Sequence, residues 1–352
     1  MKTIIPAILS LFLIAGMPAW AQLPPVQAPS ASTKPSSQFE VVRFKENPII
    51  HAGMKGLFRS QFGNNICQPS ILCVPAWVEH PLGKYYLYFG DHHGTYVQMA
   101  YADHLEGPWI IYEPGTLQLK ETPGLSHLGG TNMFVDDAAK EIRMYFYTDG
   151  RHFPAFLNEK PDWRCGLFRN FVALSKDGIH FTCQPVPLGH FFMRVFQHGG
   201  FFYGLSLIPD SGFRPGELNC IVSRSKDGLT PFESGPRMLP DCRHCALWVE
   251  GNTLYVVYTR FGEAPERIQV STVDLSPDWT AWKASPPEIL LEPEKDYEGV
   301  KLPLVPSTPG AVGPVRQLRD PAIYEENGKR YLLYAVEGEQ GIAIAELKSK
   351  GK

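Results

Sequence analysis

The sequence predicts an all-β protein, a five-bladed β-propeller of four-stranded antiparallel blades. Two observations predict it. Short runs rich in Tyr, Phe, Val and Leu alternate with Gly, Pro, Asp and His punctuation along most of the 352 residues, the signature of consecutive antiparallel strands. The pattern occurs about five times in all at a spacing of roughly 40–50 residues, the period of a propeller blade.

The chain opens with Lys2, an apolar run over 4–17 and Ala19-Trp20-Ala21 before Gln22. A basic start, a short apolar core and an A-x-A site make a secretory signal peptide, and the run is shorter than the roughly 20 residues a membrane span needs. Residues 1–21 are therefore expected to be cleaved, and the protein to be secreted or periplasmic. Residues 22–38 are mostly Pro, Ser, Ala and Thr. They lack the apolar surface that would offset ordering entropy, so a disordered linker is expected. No later stretch is long and apolar enough to cross a membrane, and the propeller is expected over 39–347.

Within it, the alternating segment 39–44 stands outside the first repeat, and the last repeat is one strand short. This segment is the candidate for closing the ring. The first blade is read over 68–72, 84–89, 97–101 and 107–109. The second is read over 131–135, 141–147, 171–174 and 175–181. The third runs from near Phe192 to Phe232. The fourth takes 244–249, 253–258 and 268–271 and ends near Trp279 and Trp282. The fifth takes 320–324, 330–335 and 341–345. Ser175-Lys176-Asp177-Gly178 and Ser225-Lys226-Asp227-Gly228 recur one blade apart. Their Asp and Gly suit a tight turn between outer strands rather than a site. The Pro- and Glu-rich stretch 288–315 reads as an insert, either a lid over the mouth or a surface loop.

A net charge of −3 with 20% charged residues gives no global case for nucleic acid. The seven cysteines are odd in number, so their spacing assigns no pairing. Cys242-Arg243-His244-Cys245 has C-x-x-C spacing. No second C-x-x-C completes a zinc site, and no thioredoxin-like pattern surrounds it, so no metal site is expected.

In a propeller, the starts of the inner strands and the loops between second and third strands converge on one mouth. The inner starts place Gln68, His127, Asn132, Arg194, Arg243, His244, Arg319 and Asp320 there. The loops add Asp91, His92, His93, Arg260, Glu263, Glu266, Glu337 and Glu339. The five-repeat plan, Arg319-Asp320-Pro321 before an apolar strand, and the Ser-Lys-Asp-Gly turns resemble the five-bladed glycoside hydrolases of the arabinanase, β-xylosidase and invertase type, family 43. That resemblance implies a carbohydrate-active hydrolase with inward carboxylates and an oligo- or polysaccharide substrate. The Asp-Pro that opens the first blade in many members reads Gln68-Pro69 here, so one carboxylate is missing.

Hydrolysis asks for two carboxyl groups roughly 5–5.5 Å apart for retention, or about 6.5–9.5 Å apart for inversion. Asp320 is one candidate, with Glu263 as the first choice of partner and Asp91 or Glu337 as others. Arg194, Arg243, Arg319, His92, His127 and His244 form a second pattern. Guanidinium forks suit an acidic sugar, and with a His or Tyr base they would also serve elimination from a uronate. Gln68, Asn132 and Glu337 complete the expected substrate contacts. A glycan-binding propeller without activity is the third reading. No cofactor is required by this chemistry, and the architecture admits a structural Ca²⁺ in its channel.

Overall fold

Stacked blades bury their strands on both faces, and the aromatic runs are built for that. In the second strand of the first blade, Tyr85–Gly90, every residue is buried. The structure is a computed structural model that describes residues 35–36, 38–57, 65–92, 94–149, 168–209, 214–310 and 313–351. Its strands form five antiparallel sheets, each running from an inner to an outer strand. Blade 1 is Cys67–Cys73, Tyr85–Gly90, Gln98–Ala102 and Ile110–Tyr112. Blade 2 is Leu128–Asp136, Glu141–Asp149, Phe168–Ser175 and Thr182–Gly189. Blade 3 is Arg194–His198, Phe201–Pro209, Leu218–Ser225 and Glu233–Met238. Blade 4 is Cys242–Glu250, Thr253–Arg260, Ile268–Asp274 and Glu288–Leu291. Blade 5 is Arg319–Glu326, Lys329–Val336, Gly341–Ser349 and, from the other end of the chain, Phe39–Arg43. Inner strands of successive blades touch, and the fifth touches the first, so the ring closes.

The closing strand pairs antiparallel with the last one, Phe39 opposite Ser349 and Arg43 opposite Ala345. Its end is anchored by charge. Arg43 Nε and Nη2 donate to the two oxygens of Glu298 at 2.7 and 3.1 Å. Glu298 is fully buried and also accepts from Tyr334 Oη at 2.9 Å and from the Glu294 and Lys295 N–H groups. A carboxylate this well satisfied is buried at little cost, whereas one stripped of its partner is buried only at a high cost.

Two boundaries differ from the expectation. The signal peptide and most of the linker lie outside the described residues. At the described end of the linker, Ser36 is buried and its N–H donates to Ile289 O at 2.7 Å. The stretch 288–315 is not all loop, since Glu288–Leu291 is the outer strand of blade 4. Trp279 and Trp282, both buried, instead belong to a 3-10 turn and its cap, begun by Asp278, which accepts from Thr280 N. The two Ser-Lys-Asp-Gly segments are turns, as expected. Asp177 Oδ1 accepts from the Ile179 and His180 N–H groups, and Asp227 Oδ1 from those of Leu229 and Thr230.

One irregularity recurs around the ring. Cys67 faces Gly90 and Ser70 faces Tyr88, so three steps on the inner strand match two on its neighbour. The same count holds from Gly129 to Asn132, from Cys242 to Cys245 and from Arg319 to Ala322. In blade 3 the bond from Leu207 N to Phe191 O sets it between Phe191 and Arg194. Each is a one-residue β-bulge, which breaks side-chain alternation and re-aims the residues within it. Gln68, Gly130, Phe192 and Asp320 occupy the second position of the bulge with φ between +47° and +66°. The fourth blade places Arg243 there without a positive φ.

Glu298→Ala should lower unfolding free energy by roughly 3–5 kcal/mol, since it leaves Arg43 and Tyr334 without their shared acceptor. Chemical denaturation of the variant checks this. A loss below about 1 kcal/mol would show that the closure does not rest on this carboxylate.

Candidate active site

The bulges of blades 3 and 4 deliver Phe192, Arg243 and His244 to a cavity of about 600 Å³ at the mouth of the ring, within the usual size of small-ligand sites. Tyr147, Phe168, Phe191, Phe192, Leu207 and Phe261 form an apolar wall. His92, Ser126, His127, Arg243 and His244 supply the polar groups, and Pro309 and Gly310 of the long insert complete the lining. The insert is therefore a wall of the mouth.

Beneath the cavity lies a network of buried charges. Arg319 is fully buried. It donates to Glu339 Oε1 at 2.7 Å, Gln317 Oε1 at 3.0 Å and Gly310 O at 3.0 Å, and its Nε lies 3.0 Å from Glu266 Oε2. Arg243 donates to Glu266 Oε2 and Ser307 Oγ, both at 3.0 Å, and to the Thr308 and Gly310 carbonyls. His92 Nε2 lies 2.8 Å from Glu339 Oε2. Burial would raise Glu339, but His92 and the two arginines hold it well below the usual carboxylate range. Burial pulls His92 down, yet facing Glu339 more than offsets this and holds it above its ordinary value.

Asp320 is bonded differently. It is buried, and its Oδ1 lies 3.0 Å from His244 Nδ1. The contact is off the hydrogen-bond line, and neither Asp320 oxygen has a hydrogen-bond donor among the described residues. A buried carboxylate without donors is costly, and such exceptions mark sites. His244 thus turns Nδ1 toward the carboxylate, and its ring lines the cavity. Phe192 packs edge-on against that ring, centroids 4.7 Å apart.

Gln68 sets a second group. Its Oε1 accepts from Gly130 N at 2.5 Å, which turns Nε2 toward Tyr147 Oη at 3.3 Å. Tyr147 in turn lies 3.0 Å from His127 Nε2. Burial pushes the Tyr147 phenol well above its ordinary value, and its hydroxyl shares a hydrogen bond with the His127 ring. Gln68, in the place of the missing first-blade carboxylate, thus orients a Tyr–His pair.

The other expected residues go elsewhere. Glu263 is buried, accepts from Gln269 Nε2 at 2.5 Å and lies 3.6 Å from Arg267 Nε. Burial pushes its carboxyl above the ordinary value, but it does not line the cavity. Asp91 Oδ2 accepts from Asn65 N at 3.2 Å. Glu337, at φ +53°, forms a loop turn in which its carbonyl accepts from Val315 N. Neither lines the cavity. Asn132 lies past its bulge, where its Oδ1 accepts from Val195 N at 2.8 Å and ties blade 2 to blade 3. Arg194 is buried against the carbonyls of Cys245 and Thr131. The arginines expected to bind an acidic sugar have their donors taken up inside the ring, because five converging blades bury carboxylates and carbonyls that need them. His93 lies outside the described residues. The aromatic wall and Tyr147 went unread because their phase along the chain matches that of core residues.

A structural Ca²⁺ does not fit the described channel residues. Cys67, His92 and Glu339 come together there, but Ca²⁺ takes six to eight oxygen ligands, and Glu339 is already held by cations.

No protein-family model matches the chain. It is 33% identical over 348 residues to the uncharacterized protein R118 of Acanthamoeba polyphaga mimivirus, covering 89% of this chain and 91% of that protein. Among solved structures it is similar to a glycosyl hydrolase from Bacteroides ovatus, with TM-score 0.59 and 12% identity over 88% of this chain and 94% of that one. It is also similar to CoXyl43, a family 43 β-xylosidase/α-arabinofuranosidase from a compost metagenome, with TM-score 0.53 and 13% identity over 88% and 95%. A third is an α-L-arabinofuranosidase from Lactobacillus brevis, with TM-score 0.54 and 10% identity over 85% and 92%. The fold is that of the family 43 propellers, as the sequence resemblance implied.

The His92–Glu339 contact makes stability depend on pH. Glu339 contributes above its unfolded pKa and loses this as pH falls through its depressed folded value. His92 contributes below about pH 6.5 and loses this as pH rises through its raised folded value. Melting temperature should therefore fall as pH rises beyond the ordinary imidazole range, and His92→Gln should flatten that limb. An unchanged alkaline limb in the variant would remove His92 from the account.

Proposed function

The chain belongs to the family of the mimivirus protein R118, and from its fold and cavity we propose that it is a carbohydrate-active enzyme that hydrolyses a glycosidic bond. The observation that carries this is the buried Asp320, without hydrogen-bond donors, beside His244 on the cavity wall. Asp320 orients the imidazole and stabilises its cation. His244 Nε2 takes a proton from water as the oxygen bonds to the anomeric carbon, and the glycosidic C–O bond breaks toward the leaving oxygen. The leaving oxygen takes its proton from solvent water, and the proton held by His244 passes back to solvent as product leaves, while the His127–Tyr147 pair lines the wall from blade 2. The apolar wall suits the flat face of a sugar ring, and with Arg243 and Arg319 engaged internally, a sugar without a carboxylate is favoured over an acidic one. The acidic substrate and the elimination route read from the sequence have less support here, since both need a free guanidinium.

A second reading is favoured by a specific observation. The carboxylates nearest the arginines, Glu266 and Glu339, are fixed by them, so neither is free to work as a second carboxylate beside Asp320. A glycan-binding propeller without turnover follows from that.

Purified protein incubated with neutral, uronate-containing and sulfated polysaccharides separates these readings. Reducing ends and the ultraviolet absorbance of unsaturated uronate are followed together. Hydrolysis gives reducing ends without absorbance. Asp320→Asn should then lower kcat by about 10²–10⁴ while glycan binding persists. Rising absorbance would replace hydrolysis with elimination. Binding without either signal would leave the non-catalytic reading, and full activity in Asp320→Asn would sink the dyad.

A further inference from the structure

We propose that Cys220, Cys242 and Cys245 form a buried thiolate site for a soft, three-coordinate cation, Cu(I). Their Sγ atoms lie within 4.8 Å of one another, and all three residues are buried. In a regular strand, residues three apart point to opposite faces. The bulge between Cys242 and Cys245 turns both toward Cys220, on the third strand of blade 3. The sequence offers no second C-x-x-C, and the third sulfur comes instead from the neighbouring blade.

The donor set selects the ion. A metal about 2.3 Å from three sulfurs in a plane places them about 4 Å apart, which the spacing admits. No fourth His, Cys, Asp or Glu joins the group among the described residues. Structural zinc is held by four ligands, whereas soft thiolate sets suit Cu(I).

Arg194 is the second, independent observation. Its guanidinium is buried, and its hydrogen bonds go to the carbonyls of Thr131 and, at 2.9 Å, of Cys245 itself. No carboxylate lies within ion-pair distance of it among the described residues. A buried cation that hydrogen-bonds only to neutral acceptors is costly, and an anionic sulfur cluster beside Cys245 adds counter-charge to that of the more distant Asp320. On binding, three S–H protons pass to solvent as three S–Cu bonds form. Copper remains Cu(I), and Arg194 offsets part of the cluster's negative charge. The ion would join blades 3 and 4 behind the bulge that carries Arg243 and His244.

Anaerobic titration of the reduced, metal-free full chain with Cu(I), in competition with a Cu(I)-chelating dye, tests this. One Cu(I) per chain is expected, with an ultraviolet sulfur-to-copper band and a raised melting temperature. Cys220→Ser should weaken binding more than about 100-fold, beyond the loss of an outer-shell partner. Cys183→Ser, outside the cluster, should leave it unchanged. Should Cys220→Ser not fold, the wild-type titration and mass-spectrometric thiol mapping still decide. A disulfide between any two of the three, or no Cu(I) bound, overturns the proposal. Loss of binding in Cys67→Ser rather than Cys220→Ser would move the ion to the channel and overturn it too. Tighter binding of Zn(II) than of Cu(I) would defeat the three-coordinate assignment.

Discussion

Strand side chains alternate between faces, so an unbroken inner strand would present every second residue to the axis and send the rest into the contacts between blades. The extra residue in each inner strand breaks this rule at the mouth of the channel. It lets Arg243 and His244, adjacent in sequence, both line the cavity. It aims Gln68 at Tyr147 and Asp320 at His244. The left-handed backbone of Gln68, Phe192 and Asp320 costs on the order of 1–3 kcal/mol each. Surrounding contacts hold them there, such as the Gly130 N–H on Gln68 and the His244 imidazole on Asp320. Strain of this kind is retained where a site needs a side chain that regular geometry cannot place.

The bulges also explain the charge arrangement. Five blades bring polar residues onto one axis, where a lone charge is not tolerated. Arg243 and Arg319 share Glu266 and Glu339, and His92 joins from the first blade. This arrangement fixes blades 1, 4 and 5 to one another beneath the cavity. Its consequence for chemistry is subtraction: the strongest acids and bases of the mouth neutralise one another. The Asp320–His244 contact and the Tyr147–His127 pair are left to face the aromatic wall. The insert takes part as well, since its Thr308 and Gly310 carbonyls accept from the same arginines.

The sequence by itself determined the five-bladed plan, the closure by 39–43 and the turns at 175–178 and 225–228. Strand periodicity, an incomplete last repeat and Asp-Gly chemistry are local properties, legible without knowing what packs where. It also placed His92, His127, Arg243, His244 and Asp320 near the mouth, because the starts of inner strands converge in any propeller. Only the tertiary structure decided which of these face the cavity. Whether Arg319 meets a ligand or Glu339 depends on a residue twenty positions away across a strand pair, and Cys220 reaches Cys242 and Cys245 only across two blades. Glu263 was reachable from the sequence as a loop acid, yet Gln269 and Arg267 hold it below the wall. Partner choice among buried charges is set by distances of a few ångströms, and those come from packing rather than from the order of residues.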